Sequence, residues 1–217
     1  MTGRTTPYGR AARLLQALSA AALALFATPA LAADKLVLAF GDSLTAGYGL
    51  SPAQAFPTRL EAALRASGKP ARVYNAGVSG DTTAAGRARL AWVLRGLKAK
   101  PDLAIVELGA NDMLRGLKPA QTRANLDAIL AEFSRRKIPV LVAGMRAAPN
   151  MGRPYAAAFE PIFPLLARKY RAPLYPFFLD GVAGNRTLLQ ADGMHPNARG
   201  VTVIVRRMLP AVRAALR

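Results

Sequence analysis

The sequence predicts an α/β fold, a three-layer, flavodoxin-like sandwich with a five-stranded parallel sheet in the order 2-1-3-4-5. Strand-length apolar runs alternate with helix-length amphipathic segments throughout the chain after residue 33. The first run is apolar without interruption, as a strand buried on both faces requires. A chain of 217 residues, 52% of them hydrophobic, suits one domain with its own core.

The first segment stands outside that pattern. Arg4, Arg10 and Arg13 precede an apolar stretch from Leu14 to Phe26, and then comes Thr28-Pro29-Ala30-Leu31-Ala32-Ala33. A basic start, an apolar centre and an A-x-A end mark a secretory signal peptide. The apolar stretch falls short of the ~20 residues that span a bilayer. Residues 1–32 are therefore expected to be cleaved off, after Ala32 or alternatively Ala33. Residues 34–217 are expected to form one exported domain without a transmembrane segment.

Lys35-Leu36-Val37-Leu38-Ala39-Phe40 reads as the first strand, stopped by Gly41. Ala53 to Ala66 has helical spacing in Phe56, Leu60, Ala63 and Leu64, and stops at Gly68. Arg72 to Asn75 is a short second strand, and Thr83 to Leu97 is helical. Asp102 to Leu108 is the third strand, ended by Gly109. Pro119 to Lys137 is a long amphipathic helix, and Pro139 to Ala143 the fourth strand. Pro154 to Tyr170 is helical with a kink expected from its prolines. Ala172 to Phe178 is the fifth strand. Pro196 to Leu216 closes the chain, with Pro196 as first helical residue and Pro210 a kink.

Composition removes several chemistries. There is no Cys, so disulfides, thiolate metal sites and Cys nucleophiles are excluded. The single His, His195, excludes a zinc site built on several imidazoles and leaves one candidate for an imidazole base. The formal charge is +18, and loss of the three signal-peptide arginines would bring it to +15. The basic residues form no run and no aromatic-interleaved stripe, so nucleic acid is not expected as a partner. Transient contact with an anionic membrane surface suits the charge.

Three polar clusters fall at the carboxyl ends of predicted strands, where ligands of such sheets bind. They are Gly41-Asp42-Ser43, Gly77-Val78-Ser79-Gly80-Asp81-Thr82 and Gly109-Ala110-Asn111-Asp112. A fourth, Asp192-Gly193-Met194-His195-Pro196, precedes the last helix. A Ser hydroxyl attacks only when a base takes its proton, and His195 is the one imidazole available to Ser43. An imidazole base needs a carboxylate to fix its tautomer, and Asp192 lies three residues away. Pro196 restrains His195. A tetrahedral oxyanion needs preorganised donors, and the Ser43 N–H, the Gly80 N–H and the Asn111 amide are candidates. Asp42 and Asp112 read as structural, bonding nearby backbone N–H groups, and Trp92 as a core or helix-face residue. The G-x-S-x-G elbow of ordinary α/β-hydrolases is absent, because Thr45 stands two residues after Ser43. Dinucleotide and P-loop glycine patterns are absent too.

Ser43, Gly80, Asn111 and His195 resemble the four blocks of the SGNH, or GDSL, hydrolases. The stretches 41–50 (GDSLTAGYGL), 75–82 (NAGVSGDT), 107–112 (ELGAND), 148–155 (APNMGRPY) and 192–196 (DGMHP) are similar to the branch of the bacterial periplasmic thioesterase/lysophospholipase and the arylesterases. The resemblance covers nearly all of the expected mature chain. It implies the SGNH hydrolase fold and a periplasmic hydrolase of acyl esters and thioesters, needing neither metal nor cofactor. It implies Ser43 as nucleophile, His195 as base, Asp192 as its orienting acid, and Ser43, Gly80 and Asn111 as the oxyanion hole. It also implies a mobile loop over the acyl chain at 113–118, with Met113, Leu114 and Leu117 as candidate contacts. The third block has Ala110 where Gly is frequent, a change expected to be tolerated. Two alternatives stand beside this reading: a polysaccharide or glycan O-deacetylase on the same fold, and a basic binding module for anionic lipid or nucleic acid.

Overall fold

The sheet has five strands, all parallel, in the order β2-β1-β3-β4-β5. The computed structural model describes residues 34–216, and the predicted signal peptide lies outside them. The strands are β1 (Lys35–Gly41), β2 (Ala71–Gly77), β3 (Leu103–Glu107), β4 (Val140–Ala143) and β5 (Leu174–Tyr175). The expected strand order is the one observed. β3 is buried along its whole length and β1 from Val37 onward, which is why both read as unbroken apolar runs. β2 lies at an edge, with Arg72, Tyr74 and Asn75 exposed and Ala71 and Ala76 buried.

The helices are α1 (Ser43–Ala46), α2 (Phe56–Ala66), α3 (Thr83–Gly96), α4 (Ala110–Leu114), α5 (Pro119–Arg135), α6 (Arg153–Phe159), α7 (Ile162–Lys169) and α8 (Ala198–Ala215). α2 packs on α8, while α3, α6 and α7 pack on α5. Right-handed crossovers in this strand order place α2 and α8 on one face and α3 and α5–α7 on the other. Aromatic pairs fill both halves of the core. Phe40 meets Phe133 edge-on at 6.2 Å on the α5 side, and Phe56 meets Phe178 at 5.1 Å on the α2 side.

Prolines account for where the elements depart from expectation. The predicted 154–170 helix is two helices. Pro161 has no N–H for the carbonyl four residues back, so α6 ends and α7 begins there. The fifth strand shrinks to Leu174–Tyr175 because Pro173 and Pro176 flank it and neither can donate to a ladder. Pro196 is not the first residue of the last helix. Asn197 is the N-cap, its side chain accepting from the Arg199 and Gly200 N–H groups at 3.0 Å each, and Pro196 bridges to Leu189 instead. Pro210 sits inside α8 without ending it. The predicted 53–66 helix is a 3-10 turn, Pro52–Gln54, followed by α2, with Ala55 extended between them.

Register matters more for function than these details. Gly41 pairs with Gly77 on one side and with Glu107 on the other. Three strands therefore end level, and the three polar clusters at their carboxyl ends emerge side by side.

Candidate active site

Ser43 is the first residue of α1, directly after β1. The Asp42 carboxylate caps this helix, Oδ1 accepting from the Leu44 N–H at 3.0 Å. The turn is tight against β3: a Cβ on Gly41 would stand 2.6 Å from the Glu107 carbonyl oxygen, closer than any side chain tolerates. Ser43 Oγ lies 2.9 Å from His195 Nε2, and His195 Nδ1 lies 2.7 Å from Asp192 Oδ2. The other oxygen of Asp192 accepts from the Met194 and His195 N–H groups at 2.9 and 3.0 Å. Led by the His195 N–H bond, these contacts hold the Asp192 carboxyl down at about 2, so it is an anion at neutral pH.

The loop carrying His195 is fixed from both sides. Gln190 N–H donates to the His195 carbonyl at 2.8 Å. Gln190 Nε2 donates to the Tyr48 and Pro196 carbonyls at 2.7 and 3.0 Å. The Tyr48 ring lies 4.6 Å from the imidazole, centroid to centroid. Sequence reasoning assigned no role to Tyr48 or Gln190. Nothing in a single sequence joins residues this far apart.

The three candidate oxyanion donors surround Ser43 unequally. Among the described residues, neither the Ser43 N–H nor the Gly80 N–H has a protein acceptor. Gly80 has φ +84°, a conformation glycine takes without strain, and its carbonyl accepts from Arg115 Nη2 at 2.8 Å. Asn111 differs. Its Nδ2 donates to Asp42 Oδ2 at 3.1 Å and to the Asp81 carbonyl at 3.0 Å, so both of its N–H bonds are engaged. An oxyanion reaching Asn111 must share or displace one of them.

Beneath the serine lies a buried acid that sequence reasoning passed over. Glu107 Oε2 accepts from the Thr45 hydroxyl at 2.8 Å and from the Asp42 N–H at 3.4 Å, while Oε1 has no partner among the described residues. Burial, with the adjacent Asp42 charge, drives the Glu107 carboxyl well above its ordinary range, and burial pushes Asp42 up to about 6. The available signal was an acid ending an otherwise apolar strand run. Asp112 is structural as expected, accepting from the Thr83 N–H at 2.7 Å and from the Thr83 and Thr122 hydroxyls. Arg89 pairs with Asp81, donates to the Gly41 carbonyl at 2.9 Å and stacks 4.3 Å over Phe40, tying two of the site's loops together. Trp92 lies on the exposed face of α3.

Residues 39–203 match the model of the GDSL-like Lipase/Acylhydrolase family. The chain belongs to that family. It is 37% identical to Esterase TesA of Pseudomonas aeruginosa, over 85% of this chain and 91% of that protein. It is 40% identical to Thioesterase 1/protease 1/lysophospholipase L1 of Escherichia coli, over 81% of each. The crystal structure of AlinE4, an SGNH-hydrolase family esterase, is 54% identical and superposes with a TM-score of 0.74, over 87% of this chain and all of that one.

In this GDSL-family chain an apolar cleft of about 480 Å³ opens beside Ser43 and His195. Leu44, Met113, Leu114, Met145, Phe177 and Leu189 are among the side chains lining it. Met113 and Leu114, two of the candidate contacts, line this cleft. Leu117 is not in the lining, and its carbonyl accepts from the Tyr155 hydroxyl at 2.9 Å. Among the described residues no three His, Asp or Glu side chains group as a metal site, and no helix is long and apolar enough to cross a membrane.

Proposed function

We propose that this protein hydrolyses carboxylic esters and thioesters of acyl chains through an acyl-enzyme on Ser43. The observation that carries the reading is the unbroken contact from Asp192 Oδ2 through the His195 ring to Ser43 Oγ, at 2.7 and 2.9 Å. Ser43 Oγ attacks the acyl carbonyl carbon while His195 Nε2 takes its proton. The ionised Asp192 holds the imidazolium by its Nδ1–H. The oxyanion draws on the Ser43 and Gly80 N–H groups, with Asn111 sharing one of its own. His195 returns the proton to the leaving alcohol or thiol as the carbon–oxygen or carbon–sulfur bond breaks. Water, activated by the same imidazole, then attacks the acyl-Ser43 ester and releases the acid.

Apolar lining supports an acyl chain as the group bound, in preference to an acetylated sugar. The substrate class is small-molecule acyl esters or thioesters. The N-terminal pattern supports export through a signal peptide, with the bacterial periplasm as the working compartment. There the positive charge suits transient contact with an anionic membrane surface.

Ser43→Ala is expected to lower p-nitrophenyl acyl ester hydrolysis by roughly 10⁶-fold while leaving the fold intact. Retained turnover would sink the assignment. A rate profile across C4–C16 acyl esters, their thioesters and an acetylated glycan separates the acyl reading from deacetylation.

A further inference from the structure

Few large apolar side chains are strongly exposed among the described residues, and they are not scattered evenly. Tyr48, Leu114 and Met194 are 53, 53 and 48% exposed, and all three line the cleft. Val78, 44% exposed, is the neighbour of Ser79, which also lines it. These four side chains come from four separate segments: the turn after α1, α4, the loop before α8 and the loop after β2. Three of these side chains converge on one opening and Val78 stands one residue from its lining, which makes an apolar rim, and exposed apolar surface gathered at one place marks an interaction site.

Cations stand among these side chains. Arg115 follows Leu114 and donates to the Gly80 carbonyl at 2.8 Å. Arg146 lines the cleft with its guanidinium 5.2 Å over the Phe177 ring. Neither forms an ion pair among the described residues, whereas the nearby acids are engaged, Asp192 with His195 and Asp81 with Arg89. The rim is therefore apolar and positive, in a chain of formal charge +18.

We propose that this rim is a docking face for an anionic lipid surface, seated so that an acyl chain passes from the lipid into the cleft beside Ser43. The proposal rests on the acyl-hydrolase reading for its purpose, though not for its test. Apolar side chains enter the boundary between headgroups and acyl chains, and arginines beside them bind lipid phosphates. Net charge alone would attract anionic lipid in any orientation. The rim demands one orientation, and that is what the experiment reads.

The test uses protein carrying Ser43→Ala, so that lipid is not consumed, with vesicles of phosphatidylglycerol and phosphatidylcholine against phosphatidylcholine alone. Binding to the anionic vesicles at physiological salt is expected, and binding no stronger than to the neutral ones overturns the proposal. Val78→Asp and Leu165→Asp each place one negative charge at an exposed apolar position, the second on α7 and away from the cleft lining. Val78→Asp is expected to weaken vesicle binding about tenfold and Leu165→Asp less than about twofold. Equal losses would mean charge without orientation, and would overturn it. Leu114→Asp, read by vesicle binding alone, repeats the test if Val78→Asp does not fold. With Ser43 restored, Val78→Asp is expected to keep hydrolysis of a water-soluble short-chain ester and to lose rate on anionic mixed micelles. Failure of the catalytic reading would appear separately, as soluble-ester turnover surviving Ser43→Ala.

Discussion

Asp42 and Asp192 begin from the same local motif and end with opposite acidities. Each carboxylate accepts from the N–H two residues ahead, Leu44 at 3.0 Å and Met194 at 2.9 Å. Asp192 adds the His195 N–H, keeps contact with water and sits at about 2. Asp42 is fully buried above the equally buried Glu107 and sits at about 6. Burial outweighs the turn's backbone bond at Asp42, whereas at the more exposed Asp192 the turn's backbone bonds prevail. One aspartate is a fixed anion suited to an imidazolium. The other is an acceptor for Asn111 whose charge is costly to maintain.

The comparison can be broken at either end. Asp192→Asn keeps an oxygen for the two backbone N–H groups but removes the charge. It is expected to lower kcat by roughly 10³–10⁴. A loss under tenfold would remove Asp192 from the role of orienting acid. Asp42→Asn sets an amide against the Asn111 amide, and kcat is expected to fall by about 10² with KM nearly unchanged, as for a lost oxyanion donor. Steady-state kinetics on a soluble ester measures both.

Stability should carry the same contrast with opposite sign. The Asp42 carboxyl is raised from 3.8 to about 6, so the native state holds its proton more tightly than the unfolded chain. The stability this gives is present below 3.8 and is lost as pH rises through about 6. Denaturant melts of wild type against Asp42→Asn should therefore move in favour of the variant by ~1–3 kcal/mol between pH 4 and pH 7. The Asp192 carboxyl is lowered, so its contribution is present above 3.8 and is lost as pH falls through about 2. Against Asp192→Asn, wild type should gain with rising pH. Glu107→Gln should do least, since Gln keeps an oxygen for the Thr45 hydroxyl. A change in kcat within about threefold is expected, and a larger one would show that the Glu107 proton itself positions Asp42.

Much of this site was legible in the sequence. A Ser after a buried strand, one His and an Asp three residues before it allow few arrangements, and the structure brings the three within hydrogen-bond reach. β1 and β3 read cleanly because both faces are buried. The site's support was not legible. Gln190 on the Tyr48 carbonyl and Arg89 on the Gly41 carbonyl join residues that only the folded chain makes neighbours. Glu107 was hidden by the habit of reading acids as surface. The engagement of both Asn111 N–H bonds depends on where Asp42 and the Asp81 carbonyl point, which spacing does not reveal. Pro161 and Pro173 were visible, yet the damage each does to an element depends on its tertiary neighbours.

The 2.9 Å contact between Ser43 and His195 joins residues 152 positions apart. Ser43 comes just after the first strand, whereas His195 leads into the last helix. During synthesis or refolding the nucleophile is present early, but its base arrives only when nearly the whole chain has been placed. Partly folded forms would be chemically silent toward esters. Ester turnover in this protein is thus a clock for completion of the fold, and an assay started from denatured chain would time the arrival of the last loop.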